Sequence, residues 1–399
     1  MSPLSGIHWI GPIYDRGGYG NVSRNCVLGL AKIGVPVRAV DLFKDNPLTD
    51  HRGELDPFVL EEMRRRGDTR IGGRCPAVIH ATPNWFGKAK IDGARISRRI
   101  GYTIFETDRI PDQWVKHCRK VDEVWVPSRF NLETFAGSGV PREKIRVVPY
   151  GVDTDSFRPI TETFPIPGKR SFCFLYVFMF DWRKGFDLLL KAYLQEFSSR
   201  DDVTLVLKVY RPPGVDRDVK KEILSSVEDW GRTPESMLPH LIILDEPLTQ
   251  ESLKKLYNTC DLYISTDRAN GWGMPCMEVM AMGKPAATID WSGSTEFMTE
   301  ENSLLIRPTG SLVPVDERLA RESPLYAGHR WAEVRVDEVR RTMRFAVTHR
   351  DRLEKIAARG RESILNGFSL AKAADKFAGS LPPEAPPWHK KIFGRQLSP

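Results

Sequence analysis

The chain has 399 residues, 41% hydrophobic and 28% charged, a balance that excludes a disordered, collagen-like or disulfide-stapled protein. At roughly 100–200 residues per domain, this length predicts two domains, each able to bury its own core. The net charge of +7 suits an anionic ligand, an anionic membrane face or nucleic acid. The basic clusters Arg64-Arg65-Arg66, Arg98-Arg99, Arg340-Arg341 and Lys390-Lys391 lie apart, and no run interleaves them with aromatics, so nucleic acid is not an expected partner. Cys26, Cys75, Cys118, Cys173, Cys260 and Cys276 are scattered and never form C-x-x-C, which predicts reduced thiols rather than a disulfide framework or a zinc site. The N-terminus lacks the basic and apolar regions of a signal peptide, and the longest apolar run, 172–180, falls short of the roughly 20 residues of a spanning helix. The expectation is a cytoplasmic protein, with basic clusters able to rest peripherally on the inner face of a membrane.

The first half alternates strand and helix patterns. An opening strand at 7–10 leads into the glycine-rich loop Asp15-Arg16-Gly17-Gly18-Tyr19-Gly20, and the helix after it places Val22, Cys26, Leu30 and Ile33 on one face and stops at Gly34. Strands are expected at 35–40, 77–81, 101–105, 121–126 and 145–148, with Ser128 capping a helix near Arg129. Such alternation predicts a parallel sheet covered on both faces. Pro159, Pro165 and Pro167 mark a connector over 151–170, where the domains divide. The rhythm then restarts with the unbroken apolar run 172–180, a helix bearing Phe186, Leu189, Leu190, Tyr193, Leu194 and Phe197, and strands at 203–209, 241–244, 262–265 and 285–289. Thr249 can cap a helix carrying Leu253, Leu256 and Tyr257. The expected fold is α/β, two Rossmann-like domains facing across a cleft at the carboxyl ends of their strands. The domains are placed at 1–160 and 161–380; a segment 381–399 with Trp388 and Phe393 is expected to pack back on the first domain.

The most informative segment runs Ser265-Thr-Asp-Arg-Ala-Asn-Gly-Trp-Gly-Met-Pro-Cys-Met-Glu-Val-Met-Ala-Met-Gly283. A strand ends at Ser265, a loop spans Asn270 to Gly273, and a helix starts around Met274 and Pro275 and stops at Gly283. The N–H groups and positive dipole end of that helix suit phosphate oxygens, while Gly271 and Gly273 leave room for close approach to the backbone. Glu278, one turn in, can accept from ribose hydroxyls. No His, Cys, Asp or Glu cluster has metal-ligand spacing.

This segment resembles the donor site of family-4 glycosyltransferases of GT-B fold, with their pattern G-x-G-x-P-x-x-E-A-M-A-x-G-x-P. Asp181-Trp-Arg-Lys-Gly185 resembles the phosphate-binding turn of the same family, and Trp291-Ser-Gly-Ser-Thr-Glu-Phe297 its next loop. Glu106-Thr107, Val124-Trp-Val-Pro-Ser128 and Val148-Pro-Tyr-Gly-Val-Asp153 resemble its first-domain and linker motifs. The resemblance implies a retaining, metal-independent hexosyltransferase without a cofactor, taking a nucleotide sugar as donor and a glycan, lipid-linked or other hydroxyl acceptor, as in polysaccharide biosynthesis. It makes 1–160 the acceptor-binding domain and 161–380 the nucleotide-sugar-binding one. It makes Lys184 and Glu278 the principal catalytic candidates, with Arg183, Gly18, Gly271, Gly273, Met274 and Pro275 on the donor. Departure of a nucleoside diphosphate builds charge that Lys184 and Arg183 can neutralise in place of a metal. His80, at a strand end, is expected beside the donor sugar; Tyr19, Glu106 and Asp108 are candidates for orienting the acceptor. Asn270 stands where the Glu-x7-Glu motif has its first glutamate. That departure implies altered donor recognition or, as a rival reading, a non-catalytic scaffold that binds a sugar nucleotide or glycan.

Overall fold

The computed structural model describes residues 6–44, 46, 50–90, 93–210, 218–230 and 237–381. The first domain comprises β1 (Ile7–Gly11), α1 (Gly18–Lys32), β2 (Val37–Asp41), α2 (Pro57–Gly67), β3 (Arg74–His80), β4 (Arg95–Tyr102), α3 (Asp112–Cys118), β5 (Glu123–Val126), α4 (Arg129–Gly137) and β6 (Ile145–Val147). Its strands are all parallel, in the order β2-β1-β3-β4-β5-β6. Ser128 caps α4 by accepting from Asn131 N at 3.1 Å.

The second domain comprises β7 (Phe172–Met179), α5 (Phe186–Glu196), β8 (Val203–Tyr210), α6 (Val219–Trp230), β9 (His240–Leu244), α7 (Gln250–Thr259), β10 (Leu262–Ile264), α8 (Met274–Ala281), β11 (Ala286–Ile289) and β12 (Leu304–Ile306). These strands are also parallel, in the order β12-β11-β10-β7-β8-β9. β7 lies at the centre and is buried from Phe172 to Phe178, which is why its sequence lacks polar alternation. In each sheet the order reverses beside the first strand, between β1 and β3 and between β7 and β10. Loops diverge at these two points and leave a crevice for ligands.

After β12 the chain leaves the sheet to form β13 (Leu312–Pro314), α9 (Glu317–Glu322) and β14 (Arg330–Ala332), then α10 (Val336–Thr348), α11 (Arg350–Gly367) and α12 (Leu370–Ser380). The crossing back to the first domain comes earlier than the sequence suggests. Leu370 N donates to Val152 O at 3.0 Å, and α12 then lies along α1 with Phe377 packed edge-on against Trp125. Gly29 permits this contact, since a Cβ there would come within 2.8 Å of Leu370 O. α12, inside the unit placed at 161–380, packs mainly on α1 and also touches α11. The expected docking of Trp388 and Phe393 lies outside the described residues. Two other expectations differ in detail: β4 begins six residues before the anticipated 101, within an arginine-rich stretch, and β12 to β14 were not anticipated at all.

Candidate active site

At the crevice of the second domain, β7 turns through Asp181 into a short 3-10 turn, Trp182–Lys184. The Asp181 side chain stabilises the turn by accepting from Arg183 N at 2.7 Å. Gly185 closes it at φ 59°, where a Cβ would stand 2.1 Å from Thr266 O, so no side chain fits. This presses the start of α5 against the loop after β10 and brings Lys184 to Asp267, Nζ to Oδ2, at 2.9 Å. The Lys184 side chain keeps 18% exposure, whereas Asp267 keeps 5%. Tyr176 Oη lies 2.6 Å from Lys184 O and also against Asp267 Oδ1. Arg183 is buried, donates from Nη1 to Ala269 O at 2.8 Å and leaves its Nε unpartnered.

The loop after β10 is held on all sides. Asn270 Oδ1 accepts from Trp272 N at 3.2 Å, a local turn that a glutamate would be too long to make, and Asn270 N donates to Ser292 Oγ at 3.0 Å. Ser292 adopts φ 73°, the sole non-glycine in the left-handed region among the described residues, a local strain placed beside the site. At Gly271 a Cβ would strike Ile104 of the first domain at 2.6 Å, so the bare backbone lets the two domains pack here. Gly273 caps α8 at φ 96°, with Met274 and Pro275 opening the helix. Glu278 is buried between two donors, Tyr257 Oη at 2.9 Å and, from α1 across the cleft, Asn21 Nδ2 at 3.3 Å. Burial pushes the Glu278 carboxyl up to about 7, partly opposed by those two bonds.

On the first domain, the loop after β1 is pinned by buried Arg24, whose Nη1 donates to Ile13 O at 2.9 Å and Asp15 O at 2.6 Å. Gly20 is pressed on the loop, with a would-be Cβ 2.0 Å from Asp15 O, while Gly18 faces open space. His80 corrects an expectation. Its ring is fully buried, with Nδ1 against Ser23 Oγ at 2.8 Å and Nε2 against Tyr150 Oη at 3.2 Å, and burial pushes it down to about 3. It is a neutral core histidine, not a group facing the cleft. Tyr19 is likewise committed, its hydroxyl against Thr103 Oγ1 at 2.9 Å, and burial pushes its phenol up.

Glu106 and Asp108 meet the segment between α9 and β14. Glu106 Oε2 accepts from Tyr326 Oη at 3.1 Å and Oε1 lies 3.8 Å from Arg183 Nη1. Thr107 Oγ1 meets His329 Nδ1 at 2.7 Å, and Asp108 Oδ1 accepts from Arg330 N at 2.7 Å. Asp108 thus clasps the two domains, and Glu106 stays next to the cationic turn. The structure sets Glu106 near Arg183 beside Lys184, places Met274, Pro275 and Glu278 on α8, buries His80 and leaves Tyr19 half-buried. Sequence reasoning missed Asn21, Asp267 and Tyr326. Asp267 sat unassigned inside the key segment, and nothing local marked the other two. Among the described residues, no group of three or more His, Cys, Asp or Glu could hold a metal ion, and no helix is long and apolar enough to cross a membrane.

Two Rossmann-like domains meeting at their strand ends, with the cationic turn and the α8 N-terminus on one wall, define the GT-B fold. Residues 171–320 match the family described as glycosyl transferases group 1, which marks the chain as an enzyme of the transferase class. Solved structures share the fold over nearly the whole chain. HepE (Alr3699) of Anabaena in complex with UDP and glucose aligns with TM-score 0.62 at 15% identity, covering 94% of this chain and 98% of that one. A glycosyltransferase of Rickettsia africae aligns with TM-score 0.60 at 14% identity, covering 95% and 98%. The apo lipopolysaccharide outer core galactosyltransferase WaaB aligns with TM-score 0.61 at 13% identity, covering 94% and 98%. No curated protein sequence matches the chain.

Proposed function

We propose that this protein moves a hexose-type sugar from a nucleoside diphosphate sugar to a hydroxyl of a glycan or lipid-linked acceptor, with retention and without a metal ion or resident cofactor. The observation that carries the reading is convergence at the second crevice. Lys184 reaches the loop after β10, α8 opens from that loop at Gly273, and Glu278 one turn on meets Asn21 from the opposite domain. The β-phosphate of the departing nucleoside diphosphate gains charge as the glycosidic bond breaks, and a fixed ammonium with helix N–H groups stabilises it. Glu278 grips the ribose, away from the breaking bond. Asn270, committed to its turn, offers the donor sugar no carboxylate, in keeping with a donor preference unlike that implied by a Glu-x7-Glu motif. HepE, crystallised with UDP-glucose, makes that sugar nucleotide the first donor to try.

For a lipid-linked acceptor, the membrane-facing region is assigned to α2, where Phe58 is 69% exposed and Arg64, Arg65 and Arg66 fill the last turn. Arg65 and Arg66 share the single counter-ion Glu62, whereas Arg340 and Arg341 are paired with three carboxylates, Glu196, Asp337 and Glu338.

The test is release of nucleoside diphosphate from UDP-glucose, UDP-galactose and their GDP and ADP counterparts, with and without acceptor, before and after EDTA. Turnover that survives chelation supports the reading, and complete loss restored by manganese or magnesium overturns its metal-independent part. Donor binding without any turnover would instead identify a scaffold.

A further inference from the structure

We propose that Asp267 is an internal counter-ion that competes with the donor's diphosphate for the ammonium of Lys184, and so weakens the grip on the nucleoside diphosphate product. The proposal rests on the assignment of Lys184 to the donor phosphates. Asp267 sits in the loop after β10 with its side chain 5% exposed, and its Oδ2 accepts from Lys184 Nζ at 2.9 Å. The other oxygen lies against Tyr176 Oη, but that hydroxyl carries one hydrogen and also lies 2.6 Å from Lys184 O. The hydroxyl serves one of the two at a time, and among the described residues Lys184 is the cation within ion-pair distance of the carboxylate, with Arg183 acting on it from farther off. The lysine does not depend equally on the carboxylate: its ammonium has three donors on a flexible stem, and the side chain is 18% exposed.

A diphosphate at the N-terminus of α8 carries more charge than one carboxylate and draws the ammonium outward. Asp267, fixed on its loop, remains as the alternative partner and draws it back once the sugar has been transferred. No bond is made or broken in this exchange; it trades one ion pair for another. Asp267 is therefore a positioning residue that acts through Lys184, and it favours product release over tight binding.

Titration calorimetry with UDP, and in parallel with GDP and ADP, tests this on the full-length protein. Asp267→Asn keeps the shape and removes the charge, and should tighten the nucleotide that binds by about tenfold, within the 5–150-fold range common for coupled sites. The product-inhibition constant should fall by the same factor. In a Lys184→Ala background the gain should vanish, a coupling that a merely structural aspartate would not produce. Asp267→Ser carries the same expectation and serves if the Asn variant melts early. Equal or weaker binding by a variant of unchanged melting temperature overturns the counter-ion role. If Lys184→Ala alone leaves nucleotide affinity unaltered, the phosphate assignment itself fails, which is a different result.

Discussion

His80 ends β3 and Lys184 lies in the turn after β7, two strands that each border the point where their sheet reverses order, yet they have opposite fates. The chain around β3 closes over His80, and Ser23 and Tyr150 take up both ring nitrogens. After β7 the backbone turns out through Gly185, and the ammonium of Lys184 keeps an open side. A polar residue at a strand end is thus a site candidate only if the following loop leaves it uncovered. In the second crevice Lys184 stays part-exposed though paired with Asp267, while in the first His80 is committed to packing and Asp108 to domain closure.

The widest gap between the two regions should appear in turnover. Lys184→Ala should lower kcat about 10²–10³-fold, the usual loss for one electrostatic contact to a developing charge, and near-normal kcat would place the phosphate site elsewhere. Gly20→Ala should cost about 3 kcal/mol of stability, because its methyl group would overlap Asp15 O, and thermal melting would read this as a drop of several degrees.

Glu278 sharpens the contrast through pH. Its carboxyl is raised in the folded state, so between the ordinary carboxylate value and about 7 the native protein holds a proton that the unfolded chain has lost. Stability contributed by this group is therefore present at low pH and lost as pH rises through about 7. Glu278→Gln should gain about 1–3 kcal/mol on wild type between roughly pH 5 and pH 8, measured by denaturant unfolding. An unchanged difference across that range would mean that the carboxyl is ionised throughout.

His80→Gln should cost about 1–2 kcal/mol through imperfectly replaced hydrogen bonds, yet alter kcat less than threefold. A much larger fall in kcat at intact stability would return His80 to the cleft. The smallest effect belongs to Gly18→Ala, which meets open space and should shift stability by under about 0.5 kcal/mol. Any rise in donor KM in that variant would then report contact between this loop and the nucleotide.

Much of the architecture was legible from local pattern. The unbroken apolar run of β7, the caps at Ser128 and Thr249 and the stops at Gly34 and Gly283 are short-range consequences of burial and backbone freedom, and each is found at its expected place. The arginine-rich β4 escaped because strand pairing with β3 and β5 supports residues whose side chains alone do not suggest a strand. Residue types at the second crevice were also readable, since a turn ending in Lys-Gly and a Gly-capped helix are local devices for meeting an anion.

What sequence could not decide was which polar groups remain free. Asn21 meets Glu278 across 257 residues, Tyr326 reaches Glu106 across 220, and Lys184 finds Asp267 across 83. Composition and periodicity determined two α/β domains and where the loops at their strand ends lie, because both follow from hydrogen bonding and burial within a few residues. The tertiary structure alone decided that His80 is neutral core, Glu278 a buried acid and Lys184 a paired but accessible cation, because ionisation and exposure depend on neighbours that only the folded chain brings together.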